Sequence, residues 1–114
     1  MNLYVYGTLK RDGCAAYLLT EARFLGEAST APHYRLYSAG WFPVMVESED
    51  GQSIQGELWE IPETLIPRLD RYEGSGYLRI SVKLNEPFDE IDVTTYLYKG
   101  KVQGLAEIDR KWDN

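Results

Sequence analysis

One glutamate lies where acid–base chemistry could be tuned. Glu73 follows a predicted helix and precedes a Gly-Ser-Gly run, with Tyr72 and Tyr77 close on either side. A carboxylate at a helix C-terminus faces the negative end of the helix dipole, and burial among aromatic rings disfavours its charge further. Both effects raise the pKa towards neutral pH, where a general base works best. The alternative is a solvated glutamate at a helix end.

A second candidate site is the loop that follows the first predicted strand. The run YVYGTLK, Tyr4 to Lys10, stops on Gly7 and continues with Thr8. Backbone N–H groups of Gly7, Thr8 and Leu9, released from sheet pairing, can converge on an anion such as a carboxylate. The Thr8 hydroxyl could add one more donor. The alternative is an ordinary turn, since glycine serves many turns.

The remaining reactive side chains are few. The chain has one cysteine, Cys14, and one histidine, His33, so it offers neither an internal disulfide nor a metal cage. Cysteine catalysis needs a nearby base; Cys14 is more simply a packed small hydrophobe, and His33 a partly exposed surface residue. The aromatic residues Trp41, Phe42 and Trp59 could line a ligand cavity or fill the core.

The elements that must position these residues follow from hydrophobic periodicity. The helix before Glu73 is predicted over 64–72, with Leu65, Leu69 and Tyr72 on one apolar stripe. A shorter helix is predicted over 14–22, with Asp12 as its cap. Ile54–Ile61 carries apolar side chains on both faces, which is typical of a central strand. Further strands are predicted at 2–6, 23–30, 33–37, 43–47, 77–84 and 91–98.

Composition and charge restrict the class of protein. The 114 residues suit one domain, 1–114, and 44% hydrophobic with 26% charged residues are ordinary globular values. The net charge of −6 argues against nucleic acid or an anionic membrane as partner. Because neither a bilayer-spanning apolar run nor a signal peptide is present, we expect a soluble cytoplasmic protein. Its oligomeric state is not encoded in any recognisable pattern.

Six to eight short strands with two short helices predict an α+β fold. We expect a small curved mixed sheet that forms a partly closed β-barrel, with the two helices packed on it. The tail after Gly100 is charged and carries no clear periodicity, although Leu105, Ile108 and Trp112 could dock on the body of the protein.

Several motifs, taken in order, resemble the gamma-glutamylcyclotransferase (AIG2-like) family in its short bacterial branch. They are YGTL after the first strand, GELWEI before a helix, and LDRYEG followed by YLR. The segment LYSAGWFPVMV looks like the aromatic–glycine–proline stretch of that family, and TTYLY like its late tyrosine-bearing strand. The resemblance runs from about Asn2 to Tyr98, nearly the whole chain.

This resemblance implies a metal-independent enzyme that cyclises a small γ-glutamyl amide or amine to 5-oxoproline and releases the free amine, without a cofactor. By the same resemblance, Tyr6, Gly7, Thr8 and Leu9 match the substrate-binding loop, Glu73 the catalytic acid–base, and Tyr98 a tyrosine that lines the cavity. One alternative is a non-catalytic ligand-binding domain on the same fold. Another is an interaction module, in which no pocket would contain both Glu73 and the loop.

Overall fold

Eight strands and one α-helix make up the fold. The computed structural model describes all 114 residues. The helix α1 spans Ile66–Glu73 and follows a 3-10 turn at Glu63–Leu65, while a second 3-10 turn lies at Ala16–Leu19. The strands are β1 (Asn2–Val5), β2 (Arg23–Ser29), β3 (Tyr34–Ser38), β4 (Pro43–Glu47), β5 (Gln55–Glu60), β6 (Tyr77–Ser81), β7 (Thr94–Tyr98) and β8 (Ala106–Ile108).

Strand β1 lies in the middle of the larger sheet, which has the order β2-β5-β1-β7-β6. It pairs antiparallel with β5 and parallel with β7, so the sheet is mixed. Both of its faces are covered: Tyr4 belongs to the core beneath the smaller sheet β4-β3-β8, whereas Leu3 and Val5 belong to the core beneath the helical segments. The chain therefore leaves β1 and reaches Gly7 from the interior of the molecule.

Helix α1 is held against the sheet by an apolar side and a polar side. Leu69 is fully buried, and the helix starts with Pro67 in its first turn, where a missing N–H is harmless. Across the helix, the Asp70 carboxylate accepts hydrogen bonds from Tyr96 Oη (2.7 Å) and from the Arg79 guanidinium (3.1 and 3.3 Å). Gly74 ends the helix at φ 81°, a positive angle that glycine adopts without steric cost. Glu73 is thus fixed as the last helical residue.

The structure confirms an α+β fold with a mixed sheet and corrects two parts of the prediction. The strands form no closed barrel but divide into two sheets, because β3 pairs with β4 on one side and with β8 on the other rather than with the larger sheet. The larger sheet is nevertheless curved, because the C-terminal end of β2 and the residues after it meet the residues after β6: the Ala31 N–H donates to Lys83 O (2.8 Å) and the Asn85 N–H to Ser29 O (2.9 Å). There is also one α-helix instead of two.

The predicted helix over 14–22 is wrong for a local reason. Only Ala16–Leu19 is helical, as a 3-10 turn, and no side chain caps it. Asp12, the expected cap, instead accepts a hydrogen bond from Asn114 Nδ2 (3.0 Å). Two buried leucines, Leu18 and Leu19, anchor this turn to the core, so packing rather than capping holds it in place.

The charged tail carries more structure than its sequence indicates. Ala106–Ile108 forms strand β8 on β3, and both Ile108 and Trp112 pack against the core between the sheets. The docking of these two residues agrees with the prediction, whereas the strand itself was missed. No helix of the protein has the length and apolar character needed to cross a membrane.

Candidate active site

One cavity joins the two stretches that the sequence indicates. Its volume is about 250 Å³, below the ~300–1,000 Å³ of sites for drug-sized ligands, so it suits a small molecule. Its lining comes from three parts of the chain. They are residues 6–9 after β1, residues 41–43 at the start of β4, and Tyr72, Glu73 and Tyr77 around the end of α1.

Glu73 is the only ionisable carboxyl group in this lining. Its side chain is half-buried and has neither an ion-pair partner nor a hydrogen bond within the protein. Burial without compensation raises the pKa of Glu73 from its usual value of 4.5 to about 7. At neutral pH the carboxyl is therefore present in both protonation states, which is the condition for accepting and returning a proton.

The two tyrosines that flank Glu73 fasten its segment to the other two parts of the lining. Tyr72 Oη is hydrogen bonded to Thr8 Oγ1 (2.7 Å), and Tyr77 Oη donates to the Pro43 carbonyl (3.2 Å). Burial is the main cause that raises the pKa of both phenols, and the nearby Glu73 carboxylate raises them further. Both rings therefore stay protonated and uncharged, and they hold the end of α1 in place.

The loop after β1 keeps its amides free while its carbonyl groups are used. Gly7 O accepts from Lys10 N–H (3.1 Å) and Thr8 O from Ala15 N–H (2.9 Å). The N–H groups of Gly7, Thr8 and Leu9, by contrast, donate to no acceptor within the protein. In folded proteins, nearly all buried backbone amides have a hydrogen-bond partner. Three successive unpaired amides beside a cavity therefore form a site at which an anionic or carbonyl oxygen can be bound.

Gly7 is required for a close approach, not for an unusual backbone angle. Its φ is not positive, so another residue could adopt its conformation. A β-carbon at position 7, however, would lie 2.6 Å from Cγ and 2.9 Å from Cδ of Pro43, which is closer than real side chains approach each other. The predicted crowding at Gly7 is thus present, and its cause is the adjacent ring of Pro43, which also lines the cavity.

Distant parts of the chain hold the far side of the loop. The buried Glu57 carboxylate accepts from Arg11 N–H (3.0 Å) and Arg11 Nε (3.1 Å). The Lys10 ammonium, also buried, donates to Trp112 O (2.6 Å), and Asn114 Nδ2 donates to Gly7 O (3.1 Å). Strand β5 and the C-terminal segment together fix the loop from outside the cavity.

The remaining predicted residues lie as follows. Tyr98 does not line the cavity; its ring packs edge-on against Tyr77, 5.7 Å between centroids, and its role in a site stays a prediction. Cys14 is exposed rather than packed, and His33 is exposed as expected. Trp41 and Phe42 line the cavity. No group of three or more His, Cys, Asp or Glu side chains is arranged to hold a metal ion.

Sequence reasoning missed three features of the site. The Thr8–Tyr72 hydrogen bond spans 64 residues and the Asn114–Gly7 hydrogen bond spans 107, so no local pattern signals either. The third is Pro43, whose ring requires glycine at position 7. Its presence in the aromatic–glycine–proline segment was the available signal.

Comparison with known proteins agrees with this fold. Residues 3–114 match the family described as gamma-glutamyl cyclotransferase, AIG2-like, and the chain belongs to this family. The Escherichia coli K12 gamma-glutamylcyclotransferase family protein YtfP is 30% identical over 111 residues, 96% of this chain and 92% of that protein. A Vibrio cholerae relative is 35% identical over 71 residues, 62% of this chain and 60% of that protein. The crystal structure of an AIG2-like protein from Mus musculus superposes with a TM-score of 0.83 at 26% identity, covering 98% of this chain and 87% of that one.

We predict that the Glu73 charge destabilises the folded state at high pH. Between about pH 4.5 and 7 the native carboxyl keeps a proton that the unfolded chain has lost, so stability falls as pH rises through this window. Glu73→Gln should therefore be more stable than the parent at about pH 8, by on the order of 1–3 kcal/mol, and nearly equal at about pH 4. Urea unfolding at both pH values measures this difference, with Glu63→Gln, an exposed glutamate, as control. A pH-independent difference would contradict the burial of the charge.

We also predict that Asn114 restrains the loop. Asn114→Ala removes the hydrogen bonds to Gly7 O and Asp12 Oδ1. A lost hydrogen bond costs about 0.5–1.5 kcal/mol, so the amides of Lys10 and Gly13 should exchange with solvent roughly two- to tenfold faster while global stability changes little. Hydrogen exchange followed by NMR checks this, with exposed Lys111→Ala as control. Equal exchange in both variants would mean that Asn114 does not hold the loop.

Proposed function

We propose that this protein is an enzyme that cyclises a γ-glutamyl amide or amine to 5-oxoproline and releases the free amine, with Glu73 as general base and then general acid. One observation carries the proposal: the uncompensated Glu73 carboxyl and the unpaired amides of Gly7–Leu9 border the same small cavity. Membership of the gamma-glutamyl cyclotransferase family supports the same chemistry. The substrate is a small γ-glutamyl molecule that supplies its own nucleophile.

The first task of the protein is to fold the substrate. The α-amine must reach the γ-carbonyl carbon of its own glutamyl chain to close a five-membered ring. Well-oriented intramolecular reactions reach effective molarities of about 10⁵–10⁸ M, so confinement contributes a large part of the rate. A cavity of about 250 Å³ with apolar walls restricts the glutamyl chain to few conformations.

The second task is to move protons. The substrate amine is mostly an ammonium at neutral pH, and the Glu73 carboxylate takes one proton from it. The free nitrogen attacks the γ-carbonyl carbon, and the protonated Glu73 then donates to the departing nitrogen as the carbon–nitrogen bond breaks. The ring nitrogen still carries one proton more than the product needs. The Glu73 carboxylate takes this proton and passes it to the released amine, which returns Glu73 to its starting carboxylate form. A pKa of about 7 suits both directions of transfer.

The third task is to stabilise negative charge. The γ-carbonyl oxygen becomes an oxyanion during attack, and the substrate α-carboxylate is anionic throughout. The amides of Gly7, Thr8 and Leu9 are free to donate to such oxygens, and the contacts behind them keep them in place before the substrate binds. Fixed donors need no reorganisation when the charge develops, which is why they favour the transition state.

The role of Glu73 can be tested directly. Glu73→Gln keeps the shape of the side chain and removes the proton acceptor. We expect kcat for 5-oxoproline release to fall by about 10²–10⁴-fold, and kcat/KM of the parent to fall about tenfold per unit below pH 7, because only the carboxylate accepts the proton. Circular dichroism verifies folding, and Glu63→Gln, at the other end of the helical segment, is the matched control.

Parental turnover by folded Glu73→Gln would exclude Glu73 as the base. If the parent protein itself binds γ-glutamyl compounds but releases no 5-oxoproline from any of them, the chain is a binding domain rather than an enzyme.

The loop can be tested through Gly7. Gly7→Val places a side chain against the Pro43 ring and displaces the amides from the cavity. Overpacking of this kind costs about 1–3 kcal/mol, so substrate affinity should fall roughly ten- to a hundredfold. The matched control is Gly76→Ala, where a β-carbon would meet only Tyr98 at an ordinary 3.7 Å. Calorimetric titration with 5-oxoproline measures both variants, and unchanged affinity in Gly7→Val would show that the loop does not bind the ligand.

A further inference from the structure

Trp41 differs from every other residue of the cavity lining in its exposure. Trp41 is 66% exposed, whereas Tyr6 and Leu9 in the same lining are buried. Trp41 follows Gly40, whose φ of 104° suits glycine, in the tight connection between β3 and β4. Its ring lies 4.9 Å from that of Phe42 with the planes at 71°, so the pair forms an edge-to-face aromatic surface.

This difference in exposure distinguishes a closed end of the cavity from an open end. The closed end is formed by the buried loop after β1, and the open end by Trp41. A substrate whose glutamyl oxygens lie on the loop amides and whose reacting atoms lie at Glu73 therefore extends its third part towards Trp41. In a γ-glutamyl amide, that third part is the body of the leaving amine.

The chemistry of the open end favours an uncharged body. Trp41, Phe42 and Pro43 carry no ionisable group, and Glu73, the one carboxyl in the lining, belongs to the reacting end. An ammonium group packed against these three residues would find no carboxylate among them to pair with. A flat aromatic body, in contrast, can pack offset or edge-to-face on the indole and remove apolar area from water.

We propose that Trp41 and Phe42 form the subsite for the leaving amine and select γ-glutamyl amides whose amine carries a flat, uncharged aromatic or apolar body. This inference rests on the proposed cyclisation and adds to it the class of substrate. Trp41 acts on binding rather than on proton transfer, since it lies at the open end of the cavity and Glu73 alone can exchange the proton.

The test compares three γ-glutamyl amides that differ only in the leaving amine: ethylamine, 2-phenylethylamine and 1,4-diaminobutane, which carries a positive charge. Release of 5-oxoproline is followed for the parent, Trp41→Ala and Trp41→Phe. The control variant is Ile91→Ala, which removes an exposed apolar side chain outside the cavity. We expect the parent to prefer the phenylethylamide over the ethylamide by tenfold or more in kcat/KM, mainly through a lower KM.

The variants then separate the possible outcomes. Trp41→Ala should bring the ratio of the two amides to within about threefold of one, Trp41→Phe should keep part of the preference, and Ile91→Ala should keep all of it. Equal kcat/KM for all three amides, or a preference for the charged amine, would overturn the subsite while leaving the cyclisation intact. Failure of the parent to cyclise any of the three, at high enzyme concentration, would overturn the proposed function and this inference together.

Discussion

Partial desolvation of the Glu73 carboxyl is the constraint on which the site depends. No cation or hydrogen-bond donor of the protein compensates its charge, so the pKa is set by how far water is kept from it. The two flanking tyrosines limit the access of water, and they are held in place by the hydrogen bonds of Tyr72 to Thr8 and of Tyr77 to the Pro43 carbonyl. The packing of the tyrosines thus decides the acid strength of a group that neither of them contacts through a hydrogen bond.

The loop after β1 combines backbone carbonyl groups that are hydrogen bonded with backbone amides that are not. Its carbonyl groups and long side chains are satisfied by contacts to β5, to the C-terminal segment and within the turn itself, which fixes its position. Its amides at 7–9 have no acceptor within the protein. An anion-binding loop needs both properties, because free donors on a mobile loop would have to be ordered at each binding event.

The layered fold explains why these features meet. With both faces of β1 buried, the chain emerges from the sheet between the smaller sheet and the helical layer, so the loop lies between β4, which brings Pro43, and α1, which brings Glu73. The same connection that places Pro43 against Gly7 projects Trp41 to the open end of the cavity. The positions of the loop, of Glu73 and of the aromatic residues at 41–42 are consequences of one arrangement of layers.

By itself the sequence determined the local features: the strand before Gly7, the helix that ends at Glu73 and Gly74, and the order of motifs that marks the family. Periodicity and turn chemistry act over a few residues, so a single chain displays them openly. Contacts across 64 to 107 residues decided the rest, namely the anchoring of Thr8 and Gly7. The division of the strands into two sheets also came from tertiary pairing. Such contacts depend on which surfaces the folded layers bring together, and no local pattern of residue types specifies that.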